Sequence, residues 1–84
     1  MPKKEKIIFI CTENACRSQI AEGVMRQLAG DKFDVFSAGS HPSLVHPMSI
    51  KVMKEIEIDI TSHTSDPISK FLNKNINIVV TVCD

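Results

Sequence analysis

Four consecutive apolar residues, Ile7-Ile8-Phe9-Ile10, run straight into Cys11-Thr12-Glu13-Asn14-Ala15-Cys16-Arg17-Ser18, and this junction restricts the chain more than any other stretch. A short β-branched and aromatic run suits a strand buried on both faces. From Ser18 onward, apolar residues fall at Ile20, Ala21, Val24, Met25 and Leu28, the spacing of one helical face. Cys11 to Arg17 is then a strand-to-helix loop, where backbone N–H groups and the helix dipole converge on an anion. A thiol at its mouth feels the same positive field, which favours thiolate over thiol. Arg17 adds a planar fork matched to a tetrahedral oxyanion. The Ser18 hydroxyl either donates to the thiolate or caps the helix. Cys11 is therefore expected as a nucleophile in an oxyanion cradle made by Thr12, Glu13, Asn14, Ala15, Cys16 and Arg17.

The remaining sequence alternates strand and helix without repeats or linkers. Gly30 is a candidate C-cap for the first helix. Phe33 to Ser37 reads as a second strand, and Ala38 to Leu44, with Gly39 and Pro42, as loop. Pro47 suits a helix's first turn, and Met48, Val52, Met53 and Ile56 mark a helical face. Pro67 to Leu72 has room for one or two helical turns, and Ile76 to Val82 is strongly β-forming. Strand–helix–strand–helix–strand implies an α/β domain with a parallel sheet and right-handed crossovers. The loop after the first strand sits where open α/β sheets bind ligands.

Composition excludes several classes of function. Eighty-four residues make one small domain, 1–84. The formal net charge is zero, so no global field recruits nucleic acid or an anionic membrane. Lys3, Lys4 and Lys6 read as a solvated tail. No apolar run approaches a membrane span or a signal-peptide core, which makes the cytoplasm the expected location. Three cysteines, an odd number, suggest thiol chemistry over a disulfide scaffold. His41, His46 and His63 lack the spacing of a zinc site.

Cys-x5-Arg-Ser in this setting resembles the low-molecular-weight protein tyrosine phosphatase family. Cys-Thr-Glu-Asn-Ala-Cys-Arg-Ser-Gln-Ile-Ala-Glu-Gly is most similar to the family's thioredoxin-coupled arsenate reductases. Phe36-Ser37-Ala38-Gly39, His46 to Met53 and Val79 to Cys83 agree. The resemblance implies that the Cys11 thiolate attacks arsenic, with Arg17 and Ser18 assisting. Cys83 then attacks the Cys11 sulfur, releasing arsenite, and a third cysteine passes the disulfide to thioredoxin. Cys16 reads as a small packing thiol. Arsenate, phosphate and sulfate are the oxyanions expected in the cradle. Asn14, Glu22, Ser37 and Asp66 align with positions that hold a monovalent cation, often potassium, in some members. Asn14 also tolerates left-handed backbone angles and would tighten the cradle.

The resemblance implies a three-layer α/β fold, its parallel sheet in order 2-1-3 with helices on both faces. Family members continue beyond the position of Asp84, so it also implies a C-terminally truncated domain. Its fourth strand and third shuttle cysteine would be missing, and the open edge of Ile76 to Val82 would favour self-association. Asp66-Pro67 does not match the phosphatases' general-acid loop, which lies further along. Glu13 and Glu57 stand where glycine is common, and the Glu13 side chain should face solvent, away from a bound dianion. Two alternatives stand beside arsenate reduction: phosphotyrosine hydrolysis, and non-catalytic oxyanion binding. With no Tyr or Trp, and with Phe residues assigned mostly to strands and helix faces, the chain offers little wall for an aryl ring.

Overall fold

A computed structural model describes residues 4–82. Three parallel strands, β1 (Glu5–Cys11), β2 (Phe33–Gly39) and β3 (Ile78–Thr81), lie in the order β2-β1-β3. The parallel sheet is what the alternation of strand and helix predicts, and the order is the one the family resemblance implies. β1 pairs with β2 from Glu5↔Phe33 to Cys11↔Gly39, and with β3 from Ile7↔Ile78 to Ile10↔Thr81. β3 is shorter than expected, but hydrogen bonds from Asn77 N to Lys6 O and from Val82 N to Ile10 O, each 2.9 Å, extend its contact with β1. The central strand therefore ends on Cys11 with neighbours on both sides. Helix α1 (Arg17–Ala29) joins β1 to β2, and α2 (Pro47–Glu55) follows β2. A single 3-10 turn, Ile68–Phe71, leads toward β3.

Alternation along β1 divides the core. Ile7 and Phe9, with Val35, pack under Ala21 and Met25 of α1, while Ile8, with Ala38, packs under Ile68 and Phe71. Helical elements thus cover both faces, but unequally: α1 on one, the 3-10 turn and its flanks on the other. Helix α2 buries Met53 completely, against α1 and Ile60. Gly23 makes that approach feasible, since a Cβ there would lie 2.8 Å from Met53 Cε and 3.0 Å from Ile60 Cγ2.

The helices are placed as expected, and part of each apolar stripe packs inward (Ala21 and Met25 of α1, Met53 of α2), but the most deeply buried positions include polar residues. Ser18, Gln19 and Gly23 are the buried residues of α1, whereas Leu28 is 77% exposed. In α2, Met48, Val52 and Ile56 remain exposed beside buried Ser49 and Met53. Polar side chains turn inward because the loop between β1 and α1 needs donors there. Gly30 closes α1 as expected, its N–H 2.9 Å from Arg26 O.

Ile8 sits in the central strand at 2% exposure. Replacing it with alanine should cost about 2–4 kcal/mol by cavity formation, read as a lower urea midpoint.

Candidate active site

Between β1 and α1 the chain curls so that its carbonyls turn outward onto donors from distant segments. Cys11 O accepts from Ser40 N at 3.3 Å and Thr12 O from His41 N at 2.7 Å. Glu13 O accepts from Ser43 N at 3.2 Å and from Ser65 Oγ at 2.8 Å. Asn14 O accepts from Gln19 Nε2 at 2.9 Å. Ala15 O accepts from His46 N at 2.7 Å and Ser49 Oγ at 3.1 Å, and Cys16 O from Ile20 N at 2.9 Å. A trans peptide places its C=O and N–H on opposite edges, and no peptide bond is cis. The amides that follow these carbonyls are therefore turned away from the donors, toward the hollow of the loop.

Two backbone positions make the curl fit. Asn14 is left-handed, with φ 52°, as its residue type allows. Gly39, at the end of β2, lies so close beneath the loop that a Cβ would stand 2.7 Å from Thr12 O and 2.8 Å from Asn14 N.

Cys11 Sγ sits 3.1 Å from Asn14 N, which donates to it, and 3.0 Å from Ser18 Oγ. The Asn14 side-chain amide decides the direction of the second contact. Asp66 N donates to Asn14 Oδ1 at 2.8 Å, so Nδ2 is the edge that donates to Ser18 Oγ at 2.7 Å. Ser18 then has its proton left for the sulfur. Of its two foreseen roles Ser18 takes the first, and the residue at the helix N-cap is Cys16, with no side-chain cap bond. Burial pushes the Cys11 thiol up and is the largest single influence. The Ser18 hydroxyl and the N–H groups of Asn14, Ser18 and Ala15 together outweigh it, so the pKa falls below that of an ordinary cysteine.

The thiol opens into a cleft of about 260 Å³ lined by Cys11, Thr12, Glu13, Ala15, Cys16, Arg17 and His46. Arg17 is the first residue of α1 and exposed, and Glu13 is exposed while lining the same cleft. Cys16, expected as a packing thiol, is half-buried and lines the same cleft as Cys11. Cys83 lies outside the described residues. The last described residue, Val82, bonds Ile10 O beside the cradle's entrance strand.

The four residues aligned with a cation site are adjacent. Ser37 Oγ accepts from Asn14 Nδ2 at 2.9 Å and donates to Glu22 Oε1 at 2.5 Å. Glu22 Oε2 pairs with Arg26 at 2.6 Å. The Asp66 carboxylate turns aside to Lys70 Nζ at 3.2 Å and Thr64 Oγ1 at 2.9 Å, while its N–H holds Asn14. These side-chain oxygens thus already face protein donors. Gln19, Ser49, Ser65 and His46, for which the sequence suggests no role, also hold or line the loop. The available signal was a polar residue on a predicted apolar face, visible for Ser49 beside Met48, Val52 and Met53, and absent for the other three.

Residues 6–84 match the family model described as low molecular weight phosphotyrosine protein phosphatase. An arsenate reductase of Staphylococcus aureus (strain Newman) is 51% identical over 80 residues, covering 95% of this chain and 61% of that protein. Among solved structures, an arsenate reductase in the phosphate binding state superposes with a TM-score of 0.88 at 43% identity, covering 94% of this chain and 60% of that one. A thioredoxin-dependent arsenate reductase of Corynebacterium glutamicum gives 0.86 at 31% identity, over 96% and 44% of the two chains. The chain spans about three fifths of the length of the curated relative, the 61% given above.

A lowered Cys11 pKa means more thiolate at neutral pH, so its alkylation rate should rise at lower pH than that of a free thiol, whose value is about 8.5. Iodoacetamide labelling of Cys11 against pH measures this. Ser18→Ala removes one donor to the thiolate and should move the inflection upward.

Proposed function

The chain belongs to the low molecular weight phosphotyrosine protein phosphatase family, and from that premise we propose that it reduces arsenate to arsenite at Cys11. The carrying observation is the Cys11 sulfur, hydrogen-bonded by Ser18 and Asn14 at the floor of a loop whose amides turn inward. In this reading the thiolate attacks arsenic and expels an oxygen as water, leaving a thioester of arsenic(V) on Cys11. Arg17 and the inward amides balance the oxyanion charge through the transition state. Cys83 next attacks Cys11 Sγ. The sulfur–arsenic electron pair stays on arsenic, which leaves as arsenite, and a Cys11–Cys83 disulfide remains. Thioredoxin supplies the two electrons that restore both thiols. Coupling to thioredoxin favours a reducing compartment, which we take to be the cytoplasm. Among the described residues, no helix is long and apolar enough to cross a membrane.

The lining of the cleft favours a small inorganic oxyanion over an aryl phosphate. It contains no Phe: Phe9 and Phe71 are buried in the two core clusters, and Phe33 and Phe36 pack at their margins. Phosphate monoester hydrolysis is the second reading, since the same thiolate and amides suit a phosphoryl group. Potassium at Asn14, Glu22, Ser37 and Asp66 would require Arg26 or the Asn14 amide to turn away, so the donor set as arranged does not fit it, and no step runs through the ion. Self-association through the outer edge of β3, unpaired among the described residues, belongs to the same proposal.

Cys11→Ser should abolish both arsenate reduction and hydrolysis of para-nitrophenyl phosphate, and Arg17→Lys should weaken both because the fork is lost while the charge stays. Cys83→Ser should bind arsenate yet release no arsenite. Arsenite formation with thioredoxin, thioredoxin reductase and NADPH is the assay. Arsenite produced by Cys11→Ser would sink the reading, and ester hydrolysis without arsenate reduction in the wild-type chain would favour the second.

A further inference from the structure

Asn14 O is the cradle carbonyl whose donor is a side-chain amide, that of Gln19. Its peptide is also the one that carries the Ala15 N–H, which faces the Cys11 sulfur. Because C=O and N–H oppose each other across a trans peptide, whatever holds Asn14 O outward aims Ala15 N–H inward.

Gln19 is built to perform that task. It is fully buried, and its Nε2 donates to Asn14 O at 2.9 Å and to Thr64 O at 2.8 Å. Both amide protons are thereby used, which leaves Oε1 as an acceptor. His63 Nδ1 lies 2.9 Å from Oε1 and must donate to it. The other ring nitrogen, Nε2, lies 2.9 Å from Arg26 Nη1. The ring thus fixes which edge of the Gln19 amide faces the loop, and α1 supplies the lever from one turn below the cradle.

We infer that Gln19 is a positioning residue for oxyanion binding, acting by clamping the Asn14–Ala15 peptide so that Ala15 N–H points at the anion. This deepens the proposed function and rests on its reading of the loop as an oxyanion site. An isosteric side chain without hydrogen bonds would free the peptide to rotate and would present a carbonyl where the anion needs a donor. Gln19 touches no substrate itself.

Isothermal titration of the full chain with inorganic phosphate tests the assignment, with the Ala15 amide followed by NMR. The wild type should bind, with the Ala15 amide shifting on saturation. Gln19→Met should bind at least about tenfold more weakly, the scale of one buried hydrogen bond lost at the site, and its Ala15 amide should no longer respond. A purely structural Gln19 would lower the melting temperature and leave both readouts in place, which overturns the assignment. His63→Ala keeps Gln19 but removes the ring that orients it, and serves if Gln19→Met does not fold. It should weaken phosphate several-fold, and unchanged affinity in that variant also overturns the assignment. A wild-type chain that fails to bind phosphate would instead overturn the oxyanion-site reading, and the assignment with it.

Discussion

The outward fastening of the cradle carbonyls is the constraint on which the rest of the molecule depends. A loop that aims successive amides at one point leaves its carbonyls on the opposite side, and each needs a donor if it is not to be stranded. Here those donors come from the end of β2 and the loop after it, from the start of α2, from the segment before the 3-10 turn, and from α1 itself. The cradle is a short piece of sequence held by residues up to 52 positions away. The 40–46 segment is therefore no mere connection between β2 and α2. Its amides form the outer wall of the site.

This explains which parts of the fold could be read from the sequence. The strand–loop–helix junction was legible because Ile7 to Ile10 and the helical spacing after Ser18 are local patterns, and alternation implied the parallel sheet, whereas its 2-1-3 order rested on the family resemblance. The left-handed Asn14 was legible from its residue type. The buried faces of the helices were legible only in part. Periodicity in α1 marks Ile20, Ala21, Val24, Met25 and Leu28 as apolar, and Ala21 and Met25 do pack on the sheet, but the deepest positions are Ser18 and Gln19, which bond the loop, and Gly23, where Met53 approaches. Likewise Ser49 turns inward because Ala15 O lies there, a fact no window around residue 49 contains. Gly39 looked like an ordinary loop glycine, and its reason is the backbone of residues 12 and 14 pressed against it.

Behind the cradle, the polar side chains form one connected set. Arg26 donates to Glu22, Ser37 donates to Glu22, Asn14 donates to Ser37 and Ser18, and Ser18 donates to Cys11. Among the described residues, no buried side-chain nitrogen or oxygen lacks a partner. Such complete satisfaction stiffens the site, since any one member can move only by stranding its neighbour. Oriented N–H and O–H groups lower the pKa of Cys11 despite its burial.

The direction of that chain has a consequence for traffic. From Asn14 every donor points toward sulfur on one branch and toward Glu22 on the other, and an amide such as Asn14 cannot reverse its donor edge by passing a proton along. The network is thus a dead end for proton relay: it polarises the thiol but cannot carry its hydrogen away. Among the described residues, a proton lost from Cys11 leaves by the mouth of the cleft, which is also the door through which an oxyanion enters. Ionisation must precede occupancy, or the arriving anion must take the proton itself, so the protonation state of the visitor becomes part of the timing of the reaction.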